Sequence, residues 1–172
     1  MAKTDFSRID LLVLDVDGVL TDGRIHVGPD GDEGRSFHAR DGLGVRLGQR
    51  GGLTFGIISG RSSVAVADRA SELDIHEIHQ GIVDKIACVD GILERLEVVR
   101  DAVCFIGDDL VDIPVMRRVG LAAAPSDAAH EAREAADFVT RSAGGRGAVR
   151  EVVDLLLQAS GKWREVTKSF LE

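Results

Sequence analysis

The stretch that decides the fold runs from Leu11 to Gly23 and reads LLVLDVDGVLTDG. Its first four residues are all apolar and predict a buried β-strand. Asp15 follows directly, at the carboxyl end of that strand, where open α/β sheets bind ligands. Asp17 comes two residues later, and the period of two along an extended chain turns both carboxylates to one side. Gly18 then permits a sharp turn.

Two carboxylates this close repel each other unless a cation lies between them. Oxygen ligands suit Mg²⁺, which keeps several waters and uses few carboxylates. A carboxylate can also attack the phosphorus of a phosphate monoester and form an aspartyl-phosphate. The pattern therefore suggests a metal-assisted nucleophile at Asp15, with Asp17 as the general acid and base.

The size and charge of the chain exclude some classes of function. Its 172 residues suffice for one domain with a substantial core, which we expect to span residues 1–172. The formal net charge of −8 argues against a nucleic-acid or anionic-membrane surface. There is no leader pattern and no apolar run of ~18 residues. Cys88 and Cys104 lie in apolar patterns and are expected to be buried free thiols, so we expect a cytoplasmic protein.

Short β-like runs alternate with amphipathic helical stretches along most of the chain. Strands are predicted near 10–15, 53–58, 77–79, 102–106, 120–124 and 137–139, and helices near 42–50, 62–73, 84–98, 110–118, 127–135 and 146–160. The alternation predicts an α/β fold, a Rossmann-like doubly wound parallel sheet with helices on both faces.

One segment departs from this alternation. Two short runs flank the turn-forming sequence GPDGD at 28–32, so we expect a β-hairpin over about 22–39 that protrudes just after the acidic motif. Few residues separate Asp15 from Ser59, and they already include a helix and a strand. We therefore expect no separate cap domain.

Polar groups follow four of the predicted strands, where each strand ends or just beyond. The carboxyl ends of parallel strands meet at one edge of a sheet, so residues far apart in sequence can converge there. In the order of the strands, these groups are Asp15 and Asp17, then Ser59, Gly60 and Arg61, then Lys85, and then Asp108 and Asp109.

A phosphate monoester would give each of these groups a use, because its uncatalysed hydrolysis is extremely slow. Asp15 and Asp108 would supply carboxylates to Mg²⁺, and the backbone carbonyl of Asp17 a third oxygen. Ser59 and the amides after it would donate to phosphate oxygens, and Lys85 would add a positive charge.

Two further aspartates, Asp109 and Asp112, would orient Lys85 or a metal-bound water. Each motif also has a simpler explanation as a turn aspartate, a helix cap or a solvated lysine. Their occurrence together, in the order that one site requires, favours the catalytic interpretation.

In combination, DVDGVLTDG, SGR, the lysine and GDDLVD resemble the motifs of the haloacid dehalogenase superfamily of phosphatases. The segments FHARDGLG at 37–44 and GGRGAVRE at 144–151 narrow the resemblance to the 3-deoxy-D-manno-octulosonate 8-phosphate (KDO 8-phosphate) phosphatases. The resemblance extends from about Ile9 to Lys162. It implies Mg²⁺-dependent hydrolysis of a phosphorylated sugar acid in lipopolysaccharide biosynthesis, through an aspartyl-phosphate.

The resemblance also implies roles for individual residues. Asp15 would be the nucleophile and Asp17 the acid and base, Mg²⁺ would be held by Asp15, Asp17 and Asp108, and Ser59 and Lys85 would contact the phosphate. Substrate contacts would come from His38, Ala39, Arg40, Asp41, Gly42, Arg46, Gly60, Arg61, Arg69 and Lys85. For Arg46 and Arg69, a solvated helix face is the alternative.

Three glycines at 144–147 suit an anion-binding loop, which would bring Arg146 to the substrate. An ordinary strand-to-helix connection is the alternative. In similar proteins the hairpins assemble into a tetramer and neighbouring subunits help to close each site, so we expect a homotetramer. The tail, about 162–172, would reach into an adjacent site or be a frayed terminus.

Other functions stay open on the sequence alone. The substrate could be a neuraminate-type nine-carbon sugar acid 9-phosphate, or the chain could be a non-catalytic phosphate-binding assembly protein. A phospho-receiver module accepts phosphate after its third strand, which here ends in His79-Gln80-Gly81. A phosphomutase would usually need a cap to retain its intermediate.

Overall fold

The computed structural model describes residues 5–29 and 33–172. In chain order, its strands are β1 (Leu11–Leu14), β2 (His26–Val27), β3 (Glu33–Gly34), β4 (Thr54–Ile58), β5 (Glu77–His79), β6 (Val103–Ile106), β7 (Leu121–Ala124) and β8 (Phe138–Val139). Its helices are α1 (Ala39–Arg50), α2 (Val64–Glu72), α3 (Lys85–Leu96), α4 (Ile113–Met116), α5 (His130–Ala135), α6 (Ala148–Ala159) and α7 (Trp163–Leu171).

Six of these strands form one sheet in the order β5-β4-β1-β6-β7-β8, and every neighbouring pair is parallel. The chain runs outward from β1 to one edge and then returns to its other side at β6. That reversal creates a crevice between the carboxyl ends of β1 and β6, where ligands bind in doubly wound sheets. The predicted α/β fold class and its six sheet strands are therefore confirmed.

The side chains of β1 show why the sheet is covered on both faces. Leu12 and Leu14 pack into a core with α1, α2, α6 and α7, whereas Leu11 and Val13 pack into a second core with α3, α4 and α5. Alternate residues of a strand point to opposite faces, so a strand buried on both faces has a continuous apolar sequence. All four residues are completely buried.

The predicted hairpin is present as a short antiparallel ribbon. His26 of β2 pairs with Gly34 of β3, and Val27 pairs with Glu33. The predicted turn lies only partly within the described residues, which exclude 30–32. Among the described residues between β1 and β4, the chain forms an irregular turn over Val16–Leu20, this ribbon and α1.

The six predicted helices are present with ends that differ by up to three residues, and two of the differences have a visible cause. α1 begins at Ala39 rather than 42, because the ring of His38 accepts the amide of Arg40 as an N-cap at 3.3 Å. α4 does not extend over 110–118 as predicted, because Asp112 accepts the amides of Asp108 and Asp109 and closes a loop. None of the helices within residues 5–29 and 33–172 is long and apolar enough to cross a membrane.

The carboxyl-terminal tail forms α7, a helix that was not predicted from the sequence. Its N-cap residue Lys162 donates a hydrogen bond to the Gly51 carbonyl at 2.6 Å. The Arg150 guanidinium lies 5.7 Å from the centre of the Trp163 ring, and Val166 is buried. The tail is therefore a helix that packs on its own chain rather than a frayed terminus, and its contact with an adjacent site stays a prediction.

A buried carboxylate joins the amino-terminal ends of α1 and α6. Asp41 Oδ2 accepts the Gly147 amide at 3.1 Å, and Asp41 Oδ1 accepts the Arg150 amide at 2.9 Å. These amides lie at the start of α6, where a helix has no internal acceptors for its first N–H groups. Asp41 is 1% exposed, so water cannot replace it.

We predict that Asp41→Ala lowers the free energy of unfolding by about 2–3 kcal/mol, because two buried amides lose their acceptor. Urea unfolding followed by circular dichroism measures this change. Asp68→Ala on the exposed face of α2 is the matched control, since Asp68 makes no side-chain hydrogen bond among the described residues. An equal decrease in the free energy of unfolding in the two variants would show that Asp41 has no special structural role.

Candidate active site

Asp15 lies in the crevice between β1 and β6. Its amide donates to the Ile106 carbonyl at 3.0 Å, so it continues the pairing of β1 with β6 by one residue. Its side chain is almost completely buried and accepts a hydrogen bond from Lys85 Nζ at 2.7 Å. The strongest sequence motif is thus located where the sheet topology places a ligand site.

Lys85 reaches this carboxylate from the first residue of α3. Asp84 accepts the Ala87 amide at 3.0 Å and caps the helix, which fixes where Lys85 leaves the backbone. Besides Asp15, Lys85 Nζ donates to Asp112 Oδ1 at 2.6 Å. Burial alone would lower the pKa of Lys85, but the carboxylates of Asp15 and Asp112 raise it above its usual range. Lys85 is therefore a buried, charged ammonium group between two carboxylates.

Asp108 approaches the acidic motif at Gly18. A Cβ atom on Gly18 would overlap the Asp108 carboxylate, and the φ of Gly18 is +95°, which favours glycine. Glycine is therefore needed here both for the turn and for the close approach of Asp108. Residues from the ends of β1 and β6 meet at this point.

Three carboxylates form the candidate metal site. Asp15, Asp108 and Asp112 each offer one oxygen, and these oxygens all lie within 4.8 Å of one another. Burial, followed by repulsion from neighbouring carboxylates, raises the pKa of Asp15 to about 6 and that of Asp108 to about 8. This excess of buried negative charge and the all-oxygen donor set fit Mg²⁺. The Asp17 carboxylate is not in the group, so only its backbone carbonyl remains for the predicted contact.

Asp112 has a larger role here than Asp109. Asp112 is fully buried, and its second oxygen accepts the amides of Asp108 at 3.0 Å and Asp109 at 3.3 Å. It thereby holds the loop after β6 and orients Lys85. Asp109 Oδ1 instead accepts the Leu110 amide at 2.7 Å, and among the described residues Asp109 forms no hydrogen bond or ion pair with Lys85.

A cavity of about 400 Å³ opens above these groups. Ser59 is buried at its wall, and its Oγ accepts the Arg61 amide at 3.2 Å, which shapes the turn after β4. Eight of the predicted site residues line the cavity: Asp15, Asp17, Ser59, Gly60, Arg61, Lys85, Asp108 and Asp109. The structure thus brings the strand-end motifs together.

Several predicted substrate residues do not line this cavity. His38 caps α1, and Asp41 is occupied by the amides of α6. Arg46 pairs with Asp74 and the Glu72 carbonyl at the end of α2. These polar groups therefore have partners within the chain, and their contact with the substrate stays a prediction.

Two further cavities are lined by other residues that were predicted to contact the substrate. One of about 470 Å³ is lined by Arg35, Phe37, Ala39, Ala65, Asp68, Arg69 and Glu72. Arg69 pairs with Glu72 at 2.7 Å there and crowds Gly42, where a Cβ atom would overlap its guanidinium. Arg40 and Arg146 line another cavity, of about 520 Å³, at the start of α6.

The glycine-rich segment at 144–147 differs from the predicted anion-binding loop. The Gly144 amide donates to Asp127 at 2.8 Å, the Gly145 amide to the Val19 carbonyl at 2.9 Å and the Gly147 amide to Asp41 at 3.1 Å. These donors are therefore not free for an anion. The absence of side chains at Gly144 and Gly145 instead lets the backbone pack against the loop that carries the acidic motif.

Arg35 is a residue of the site that was not predicted from the sequence. This hairpin residue donates from Nε to Asp17 Oδ1 at 2.7 Å, and its side chain is completely covered. The only signal was an arginine beside Glu33 in a hairpin that follows the acidic motif. Pairing across the 18 positions from Asp17 depends on how the hairpin folds back, which a local pattern does not show.

Comparisons with known proteins agree with the motif order. The model of a haloacid dehalogenase-like hydrolase family matches residues 66–152. The 3-deoxy-D-manno-octulosonate 8-phosphate phosphatase KdsC of Escherichia coli (strain B / BL21-DE3) is 47% identical over 165 residues, which cover 96% of this chain and 87% of that protein.

Solved structures of similar proteins have the same fold. The phosphatase of that name from Yersinia pestis superposes with a TM-score of 0.90 at 44% identity, covering 92% of this chain and 85% of that one. The one from Moraxella catarrhalis, in complex with magnesium ion, phosphate ion and KDO, has a TM-score of 0.94 at 36% identity, with 96% and 95% covered. The chain therefore belongs to the haloacid dehalogenase-like hydrolases, in the branch of the KDO 8-phosphate phosphatases that its motifs predicted.

Proposed function

We propose that this chain is a Mg²⁺-dependent phosphatase that converts KDO 8-phosphate to KDO and phosphate through an aspartyl-phosphate. The observation that carries the proposal is the group formed by the buried Asp15, Lys85 and Asp112 and the half-buried Asp108 at a polar cavity. The Escherichia coli relative that is 47% identical to this chain is a KDO 8-phosphate phosphatase. One of them, from Moraxella catarrhalis, is a complex with magnesium ion, phosphate ion and KDO.

In the first half of the reaction, a carboxylate oxygen of Asp15 attacks phosphorus. Lys85 holds Oδ1, so Oδ2 is the oxygen that remains for the attack. As the Asp15–phosphorus bond forms, the bond from phosphorus to the sugar oxygen breaks, and Asp17 gives that oxygen a proton. When bound, Mg²⁺ neutralises charge on the carboxylates and the phosphoryl group.

In the second half, water hydrolyses the acyl phosphate of Asp15. Asp17, now ionised, removes a proton from the attacking water, and phosphate leaves. Ser59 and the amide of Gly60 line the cavity where they can donate to phosphoryl oxygens, and Lys85 keeps a positive charge beside them. We assign Arg61, exposed at the same cavity, to the anionic substrate.

We predict that the protein releases phosphate from KDO 8-phosphate in Mg²⁺ and that EDTA abolishes this release. A neuraminate-type 9-phosphate and p-nitrophenyl phosphate serve as competing substrates, and phosphate is measured colorimetrically. Asp15→Asn should reduce turnover by at least about 10³-fold, because an amide is a poor nucleophile.

The outcomes separate the alternatives. Preference for the nine-carbon ester would keep the aspartyl-phosphate mechanism and change the substrate. Release from none of the three esters would favour a non-catalytic phosphate-binding protein. Substantial activity in Asp15→Asn would remove Asp15 from the role of nucleophile.

The raised pKa values predict how metal and pH affect stability. Because folding raises the pKa of Asp15 to about 6 and that of Asp108 to about 8, the unfolded chain releases these protons at lower pH than the folded chain. Metal-free protein should therefore lose stability as pH rises from 5 to 8. Mg²⁺ at about 100 times its Kd should raise the Tm by roughly 5–10 °C at pH 8, and by less at pH 5.

Thermal unfolding in EDTA and in Mg²⁺ across this pH range measures both effects. Asp108→Asn should reduce the pH dependence of the Tm and remove most of the Tm increase caused by Mg²⁺, because it removes one carboxylate of the cluster. Asp68→Asn, on the exposed surface, is the control. A Mg²⁺ effect that is equal at pH 5 and pH 8 would contradict this account of the cluster.

We also propose that the chain forms a homotetramer in which neighbouring copies cover the sites. The apolar rim of the catalytic cavity supports this: Val83 is 99% exposed, Val111 66% and Leu110 58%. Exposed apolar groups around one opening favour burial by another surface. A second copy is the occupant that similar proteins suggest, and it would limit access of water to an otherwise open site.

Light scattering coupled to size exclusion should give a mass about four times the 18.4 kDa chain. Val83→Asp with Val111→Asp should shift the protein to smaller species, since charge would be buried without a partner. Val99→Asp is the matched control, because Val99 is 67% exposed but lies before β6, at the other edge of the sheet. A monomeric wild-type protein would contradict the tetramer.

We place the chain in the cytoplasm. Cys88 and Cys104 are both free, and Cys104 is buried in β6. Burial raises the pKa of both thiols, so neither is activated as a thiolate. Unpaired, unreactive thiols of this kind are usual in a reducing compartment.

A further inference from the structure

The hairpin places a guanidinium directly on the proposed general acid. Arg35 follows β3, and its Nε donates to Asp17 Oδ1 at 2.7 Å. Its Nη2 lies 3.3 Å from Asp17 Oδ2 and 3.0 Å from Glu33 Oε2. The Arg35 side chain is 0% exposed and that of Asp17 is 21% exposed, so the pair is shielded from water on the arginine side.

The two contacts to Asp17 are unequal. The Nε–Oδ1 distance is that of a strong charge-assisted hydrogen bond, whereas the Nη2–Oδ2 distance is at the long end of the range. Nη2 has a closer acceptor in Glu33 and can stay there when Oδ2 is released. Oδ1 is therefore anchored, and Oδ2 is the freer oxygen.

The freer oxygen lies on the side of the catalytic cavity. Arg61 Nε is 4.0 Å from Asp17 Oδ2, and both Arg61 and Asp17 line the cavity with Asp15. Arg35 lines a different cavity at the base of the hairpin. Asp17 thus separates a buried arginine from the space where phosphate would bind.

We propose that Arg35 is a positioning residue for the general acid: it fixes Asp17 by Oδ1 and presents Oδ2 to the leaving oxygen. This inference rests on the proposed phosphatase reaction. As the P–O bond to the sugar breaks and the bond to Asp15 forms, the proton on Oδ2 passes to the sugar oxygen, and Asp17 becomes the carboxylate that later activates water. Arg35 itself touches neither the substrate nor the phosphoryl group.

The test compares esters that differ in their need for a proton. A sugar alkoxide leaves only when protonated, whereas p-nitrophenolate leaves as an anion. For Arg35→Ala, kcat/KM should fall about 10–100-fold with KDO 8-phosphate and less than about 3-fold with p-nitrophenyl phosphate, with KM little changed. Arg35→Lys should lose less, and added guanidinium should restore part of the KDO 8-phosphate rate of Arg35→Ala.

Arg24→Ala is the matched control, because Arg24 lies in the same segment, is 76% exposed and is 4.0 Å from its nearest carboxylate, Asp22. It should change neither ester by more than about 2-fold. An equal loss with both esters, or a rise in KM alone, would overturn the positioning role. If wild type prefers the nine-carbon 9-phosphate, the same comparison uses that alkyl ester. An inactive wild type would overturn the phosphatase proposal, and the inference with it.

Discussion

The rest of the site depends on the buried ammonium of Lys85 between the carboxylates of Asp15 and Asp112. Burying a carboxylate without a partner is strongly unfavourable, and three of them converge here on one lysine. The lysine compensates part of the charge and is held by short hydrogen bonds on both sides. Burial, followed by repulsion from this surplus of carboxylates, raises the pKa of Asp108, and the surplus favours a further cation in the site.

This arrangement requires the backbone to come unusually close to the carboxylates. Gly18 has no side chain where Asp108 approaches it, and Gly107 has none where Asp112 folds back under the loop. A larger residue at position 18 would displace Asp108, and one at position 107 would displace Asp112, which Lys85 holds. Gly18 and Gly107 are therefore needed because they have no side chain, whereas the acidic residues are needed for their charge.

The sequence predicted those features that depend on short-range patterns. The run Leu11–Leu14 is apolar throughout because both faces of β1 are buried, and parallel strands necessarily bring Asp15, Lys85 and Asp108 to one edge. Contacts such as Asp41 with the start of α6 depend on how helices pack, and no local pattern reports them. The helix α7 was missed for the same reason, since its apolar side is recognisable only beside α1 and α6.

Arg35 and Lys85 have comparable roles, because each fixes one oxygen of an aspartate in the acidic motif. Lys85 is the first residue of α3 and holds Oδ1 of the nucleophile, whereas Arg35 lies just after β3 of the hairpin and holds Oδ1 of the acid. In each case one oxygen is fixed and the other is left for chemistry. The difference in support means that the nucleophile is preorganised by the sheet and its helices, while the acid is aligned only when the hairpin lies against the motif. A surface that covers the hairpin, such as that of a neighbouring copy, would therefore change the rate of proton transfer from Asp17 without contacting the phosphate.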